Sequence, residues 1–324
     1  MRGPISEALL AHLRRERNLA LPRFPILDPL TDDDLHVSLW ICYQLHYGGF
    51  AGVADEREWD LAVLGLRARL EERFERALRD EHEVALLPDD PVTALRVIAT
   101  WAGPPLSATV EERGTLDHLR EFAVHRSAYQ LKEADPHTWG IPRLAGPGRS
   151  AMVAIQADEY GNGAPGEAHA ELFARAMEEL GLCSEFGYYV DQLPGSTLAT
   201  DSLVSMFGLN RRLRGALVGH LVLFEMSSVV PMTRYLNAAR CVGRLPALER
   251  FYEVHVEIDA HHARLALDSM VALTVEHEPS LSPDVIFGAA ALSRVESRFA
   301  WHVLRSWDDG DRSLLTSASM GSGD

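Results

Sequence analysis

Apolar residues recur with the period of an α-helix along most of the chain. Val63, Leu66, Leu70, Phe74 and Ala77 share one helix face within a segment rich in Arg and Glu. This pattern is typical of a helix that packs one side against a core. The alternation of apolar and polar residues that would indicate strands is scarce. The sequence therefore predicts an all-α protein.

Residues that begin and end helices divide the chain further. Thr109-x-x-Glu112 has the form of a capping box and predicts a helix from there to about Glu133. Gly48-Gly49 is expected to end an earlier apolar helix, which spans 35–47. The other predicted helices span 150–160, 167–180, 200–207, 211–241, 248–272 and 282–307.

We expect three parts along the chain. Residues 1–105 form a helical extension packed on the core, residues 106–310 form the core bundle, and residues 311–324 form a flexible tail of small and polar residues. No secretory signal is recognisable, and no segment has the roughly 18 uninterrupted apolar residues of a membrane span. These features predict a cytoplasmic protein with no membrane partner.

Composition narrows the functional classes. The chain has 31 Lys and Arg against 47 Asp and Glu, a formal net charge of −16, which argues against nucleic acid or an anionic membrane as partner. Its three cysteines, Cys42, Cys183 and Cys241, form no C-x-x-C pair. Neither a disulfide framework nor a thiolate zinc site is expected, in agreement with a reducing cytoplasm.

The 14 histidines include a patterned set. His255, Asp259 and His262 lie at positions i, i+4 and i+7, which places them on one face of a helix. Phe251 and Leu265 share that side, so the three polar groups are expected to point inward, where metal ligation would compensate their burial. A solvated polar face with coincidental spacing is the alternative.

Two further carboxylates stand out from their surroundings. Glu225 is isolated in the most apolar helix of the chain, where it must be protonated, hydrogen-bonded or bound to a cation; a bond to Arg234 is the simpler alternative. Glu159 is separated from His169 by a segment with three glycines and a proline, and an unwound turn there could bring the two together. Taken singly, Glu159 is interpreted as a surface residue at a helix end.

Carboxylates and imidazoles without thiolates suit iron or manganese better than structural zinc. Their delivery from several helices of an all-α domain favours a dinuclear carboxylate centre. The Glu-x-x-His motif of ferritin-like proteins is absent from the sequence, and so is the His-Glu-x-x-His motif of metalloproteases. The ferritin-like fold is therefore disfavoured.

The chain resembles the haem-oxygenase-like di-iron oxidases and oxygenases, also called iron-containing redox enzymes, over about Leu116–Trp307. The resemblance is carried by Gln130-Leu-Lys-Glu133-Ala-Asp-Pro, Asp158-Glu159-Tyr-Gly-Asn-Gly with His169 after it, Glu225, and His255-x3-Asp259-x2-His262. It implies a helical bundle that holds two Fe ions through seven ligands: Glu133, Glu159, His169, Glu225, His255, Asp259 and His262. Glu133 depends most on the resemblance, and Asp135 competes with it.

The resemblance further implies an enzyme in which Fe²⁺ reacts with O2 and a small-molecule substrate is oxidised. Amine N-oxygenation, oxidative cleavage of amino acids, and decarboxylation or desaturation of aliphatic acids all occur in the family. No segment resembles a flavin, haem or iron–sulfur site, so an external electron donor is expected. A non-catalytic iron-binding protein and a metal-free helical interaction protein, dimerising through residues 1–105, stay open as alternatives.

Candidate pocket residues are less distinctive. Ser228, Met232, Tyr188 and Tyr189 are candidates for lining a substrate pocket, and ordinary core packing is the alternative for each of them.

Overall fold

Helices account for almost all regular structure in the computed structural model, which describes residues 2–19, 26–80 and 86–316. Within these ranges there are α-helices, short 3₁₀ turns and one π-helical segment, Leu265–Val271, and no strand. The all-α prediction is confirmed. The α-helices are α1 Pro4–Leu13, α2 Asp33–Gln44, α3 Leu61–Arg79, α4 Pro91–Ile98, α5 Leu106–Arg113, α6 Leu116–Gln130, α7 Asp135–Thr138, α8 Gly146–Glu159, α9 His169–Glu179, α10 Gly195–Leu209, α11 Arg214–Val242, α12 Pro246–Arg264, α13 Ala272–His277 and α14 Ser282–Asp308.

Helix α11 is the centre of the bundle and packs along both α12 and α14. The approach to α14 is close because glycines meet backbone there. A Cβ on Gly219 would lie 1.9 Å from the Val285 carbonyl oxygen, and one on Gly288 would lie 2.0 Å from that of Ala216. Only glycine permits this spacing, which fixes the position of the central helix.

Helix α11 also has the length and composition of a membrane span. Residues Arg211–Val242 pass that test, but 67% of the most apolar window is buried inside the protein. A core helix of this kind gives the same signal, and its burial here agrees with a place at the centre of the bundle.

The N-terminal helices share a hydrophobic cluster with the central ones. Leu35 and Leu39 of α2 are fully buried, and α2 packs on α10, which carries the equally buried Leu198. A second hydrophobic cluster includes Phe173 of α9 and Phe251 of α12. The division at residue 105 stays a prediction.

One predicted boundary is wrong. Thr109 lies inside α5, and the capping box that begins α6 is formed by Thr115 and His118. Gly114 ends α5, so the chain turns between the two helices. Helix α6 ends at Gln130, which leaves Glu133 in the turn that follows rather than at the end of a long helix.

The beginning of the predicted flexible tail also differs from expectation. Ser313 and Leu314 are buried, and the Ser313 amide donates to Glu121 Oε1 at 2.7 Å. His125 Nε2 lies 2.8 Å from the Ser313 hydroxyl. Paired polar groups thus hold this part of the tail against α6, while residues 317–324 lie outside the described residues.

Candidate metal centre

Seven side chains predicted as ligands lie on five elements of the bundle. All are buried, with exposed fractions between 0% and 7%. The turn after α6 carries Glu133, the end of α8 carries Glu159, the start of α9 carries His169, and the middle of α11 carries Glu225. The remaining three, His255, Asp259 and His262, lie on α12.

The face of α12 with the i, i+4, i+7 pattern points inward. His255, Asp259 and His262 are exposed by 3%, 2% and 0%. The predicted inward orientation is confirmed, and the solvated polar face is ruled out. Three polar groups buried on one face of a helix carry a desolvation cost unless something binds them.

The glycine-rich segment between α8 and α9 brings Glu159 and His169 together, as predicted. Glu159 is the last residue of α8 and His169 the first of α9, and Glu159 Oε2 lies 2.8 Å from His169 Nδ1. Gly161 adopts φ of +65°, and a Cβ there would lie 2.5 Å from the Glu167 backbone. The interpretation of Glu159 as a surface residue is wrong, because the tight turn folds it into the interior.

Six of the seven side chains form two groups of three. Glu133, His169 and His255 make the first group, and Glu159, Glu225 and His262 make the second; within each group the ligand atoms lie within 4.8 Å of one another. In the first, His255 Nε2 is 3.6 Å from Glu133 Oε2. In the second, His262 Nδ1 is 3.5 Å from Glu225 Oε2 and 3.6 Å from Glu159 Oε1.

The two groups meet at Glu159. One oxygen of its carboxylate, Oε2, faces His169 of the first group, and the other, Oε1, faces His262 of the second. The Glu159 carboxylate therefore has one oxygen beside a histidine of each group.

Several buried polar atoms of these candidate ligands have no hydrogen-bond partner. Glu133 Oε2, both ring nitrogens of His169, His255 Nε2 and His262 Nδ1 are buried and make no hydrogen bond. His169 Nδ1 is close to Glu159 but outside hydrogen-bond geometry. Buried polar atoms are nearly always satisfied, so their convergence fits a bound cation, and the oxygen and imidazole donors suit iron.

The other nitrogens of two histidines are fixed by hydrogen bonds. His255 Nδ1 donates to the Phe251 carbonyl at 2.7 Å, and His262 Nε2 lies 3.0 Å from Asp158 Oδ2. Such contacts set the tautomer and the ring orientation of metal-binding histidines. They leave His255 Nε2 and His262 Nδ1 as the nitrogens that face the site.

The buried carboxylates of the site favour binding of protons or of metal cations. Burial raises the pKa of Glu225 to about 8 and the pKa of Asp259 to about 6. Burial acts to lower the pKa of His255 and His262, but the carboxylates of Glu133 and Glu225 outweigh it and raise these pKa values to about 10 and about 9. A divalent cation satisfies the same preference by displacing protons.

The structure also shows where the alternatives left open by the sequence lie. Asp135 accepts a hydrogen bond from the Tyr160 hydroxyl at 2.7 Å and belongs to neither group, whereas Glu133 does. Arg234 contacts Ser107 and Glu111 rather than Glu225. Asp259 lies outside both groups, but it lines a small space together with Glu133 of the first group and Glu225 of the second.

Several residues of the site have no counterpart in the sequence prediction. Asp158 belongs to one of the motifs quoted above, but the sequence predicted no role for it. Its position one residue before Glu159 is the only signal that could have indicated its contact with the site. Tyr129, His137 and Gln156 line a space of about 10 Å³ among the candidate ligands. Burial lowers the pKa of His137 to about 4, so this imidazole is neutral, and it contacts His220 at 3.1 Å.

Pocket candidates from the sequence divide into two pairs. Ser228 and Met232 line a larger cavity beside the site. Tyr188 and Tyr189 are not among its lining residues, and Tyr188 is 60% exposed.

Comparison with known proteins agrees with this geometry. A family profile described as "iron-containing redox enzyme" matches residues 120–297, which include all seven candidate ligands. The nitrosourea synthase of Streptomyces achromogenes subsp. streptozoticus is 30% identical over 159 residues, or 49% of this chain. The matched segment is 34% of that relative, so the chain covers about a third of its length.

Proposed function

Because the chain belongs to the family of iron-containing redox enzymes, which share the all-α, haem-oxygenase-like fold, we propose that it is an O2-dependent oxidoreductase with two non-haem irons. Glu133, His169 and His255 would hold one iron, and Glu159, Glu225 and His262 would hold the other. Asp259 completes the ligand set from the wall of the same space.

One observation carries the proposal: two adjacent groups of three buried ligands, joined by Glu159. A single-metal site would need only one group, and a structural zinc site would be expected to use thiolates. Bound iron would transfer electrons to O2, and O2 would supply the oxidising equivalents for the substrate. The chain itself holds the ligands in place, keeps the site away from water and limits what can approach it.

The substrate is proposed to be a small organic molecule, with electrons from an external donor. The name of the relative, a nitrosourea synthase, denotes a product with a nitrogen–oxygen bond, so N-oxygenation is the first reaction type to test. Oxidative cleavage or decarboxylation of an amino or aliphatic acid follows. A cytoplasmic location and a homodimer stay predictions.

Anaerobic titration with Fe²⁺ tests the proposal directly. We expect saturation near two irons per chain, followed by consumption of O2 when air is admitted. Saturation at one iron or none would contradict the two-iron proposal. O2 uptake that never yields an oxidised product with candidate amines and acids would favour a non-catalytic iron-binding protein instead.

Asp158→Asn is expected to weaken iron binding without removing a ligand. The Asp158 carboxylate orients His262, and loss of such a contact typically costs about 10- to 100-fold in metal affinity. Competition with a chelator measures the change. Asn162→Gly is the matched control, since it removes only the second hydrogen bond to Asp158 and tolerates the positive φ of 51°. Equal affinity in Asp158→Asn and wild type would contradict the orienting role.

A further inference from the structure

A cavity of about 420 Å³ lies beside the candidate metal centre. Its volume is within the range of about 300–1,000 Å³ typical of small-molecule sites. The walls come from α6, α11, α12 and α14, and from the end of α4, the start of α5 and the segment that joins them. Most lining side chains are apolar or aromatic, among them Trp101, Phe122, Met232, Tyr235, Tyr252 and Phe299.

Two aromatic residues separate the cavity from the candidate ligands. Tyr129 and Phe224 line both the cavity and the small space that contains Glu133, Glu225 and His255. Their rings meet edge to face, with centroids 5.5 Å apart. This pair is therefore a wall that the cavity shares with the small space at the centre.

The charged groups of the cavity wall are already paired. Among the described lining residues, Arg126 and Glu296 are the charged ones. They form a two-pronged ion pair with distances of 2.9 and 2.7 Å, and the Arg126 guanidinium lies 4.4 Å from the centre of the Phe299 ring. A ligand charge would have to break this pair or be buried without a partner, and both are costly.

We propose that this cavity binds the uncharged, apolar body of the substrate and presents its reacting end to the metal centre between Tyr129 and Phe224. The inference rests on the proposed function, since a substrate site needs a centre that reacts. A free amino acid, one of the substrate classes named above, is disfavoured in the cavity, because its ammonium and carboxylate would both lack an unpaired charged partner among the described lining residues. An alkyl or aromatic compound with a single neutral reacting group fits instead.

The α4–α5 segment forms one wall of the cavity. Trp101, Gly103 and Pro104 line the cavity and lie before residue 120, where the match to the family profile begins. A Cβ on Gly103 would lie 3.8 Å from the Ser297 hydroxyl of α14. The cavity is therefore closed on this side by residues that the matched family region does not include.

Binding of two related probes to the metal-free full chain tests the proposal. The neutral probe is 4-phenylbutan-1-ol, and the charged probe is 2-amino-4-phenylbutanoic acid, which has the same phenylalkyl body with both charges of an amino acid. Calorimetry is expected to show binding of the alcohol at least about tenfold tighter than that of the amino acid. Equal or tighter binding of the amino acid, or no binding of either probe, would overturn the inference.

Variants of two lining residues locate the binding site. Ser297→Phe fills the cavity, and Trp101→Ala removes apolar contact area; each is expected to weaken binding of 4-phenylbutan-1-ol by about tenfold. Trp59→Ala is the control, since Trp59 is 66% exposed and does not line the cavity. Unchanged affinity in both cavity variants would place the probe elsewhere and contradict the proposal.

Iron titration of the same proteins separates this inference from the proposed function. Ser297→Phe and Trp101→Ala are expected to bind Fe²⁺ in the same ratio as wild type, because neither residue belongs to the ligand groups. Two bound irons with no probe binding would overturn only the cavity inference. Probe binding without iron would overturn the proposed oxidoreductase, and with it the substrate role of the cavity, while the binding of neutral apolar molecules in the cavity would stand.

Discussion

His255→Ala is expected to reduce bound iron from about two per chain to one or fewer. The substitution leaves Glu133 and His169 as the only members of the first group, with one cation ligand fewer in a buried space. Residues that merely orient a ligand are worth about 10- to 100-fold in affinity, so loss of a ligand is expected to exceed that range. Anaerobic Fe²⁺ titration with iron analysis of the desalted protein measures the ratio.

His261→Ala provides a matched control for His255→Ala. His261 lies on the same helix but is exposed, and it belongs to neither ligand group. We expect it to bind two irons and to consume O2 as wild type does. A helical circular dichroism spectrum establishes that His255→Ala folds. Full iron loading in a folded His255→Ala would contradict the assignment of this residue as a ligand.

Helical periodicity explains why the α12 part of the site could be predicted. Spacing along a single helix determines which side chains share a face, so His255, Asp259 and His262 could be placed together without knowledge of the fold. The isolation of Glu225 among apolar residues was equally informative, since a buried carboxylate needs a partner. Both signals depend only on neighbouring residues of one helix, and both identified side chains that are buried.

Positions outside regular helices could not be derived in the same way. Glu133 lies in a turn whose geometry depends on the early end of α6, at Gln130. The sequence prediction instead began this helix at Thr109, which lies inside α5, and extended it to about Glu133. The meeting of Glu159 with His169 was foreseen only in outline, because a glycine-rich turn has many conformations. Trp101 had no signal at all, since its role depends on how α4 and α5 pack against α14.

A buried ion pair next to Glu133 gives the second large expected effect. Lys132 Nζ lies 2.8 Å from Asp201 Oδ1, and the two side chains are exposed by only 6% and 0%. The Lys132 ammonium also lies 4.0 Å above the Tyr47 ring. Asp201→Asn would leave this ammonium buried without its counter-charge, which typically costs about 3–5 kcal/mol in the free energy of unfolding. Chemical denaturation of the metal-free chain measures the loss.

The double variant Lys132→Met/Asp201→Asn distinguishes a charge effect from a packing effect. With both charges removed, no buried ion lacks a partner, so most of the lost stability is expected to return. Glu72→Gln in the exposed Arg76–Glu72 pair, with exposed fractions of 65% and 66%, is expected to change stability by less than about 1 kcal/mol. If Asp201→Asn were as mild as Glu72→Gln, the buried pair would not stabilise the turn. If instead Asp201→Asn also lowers iron affinity, as the place of Lys132 directly before Glu133 in the chain leads us to expect, the pair stabilises the fold and positions a ligand through the same contact.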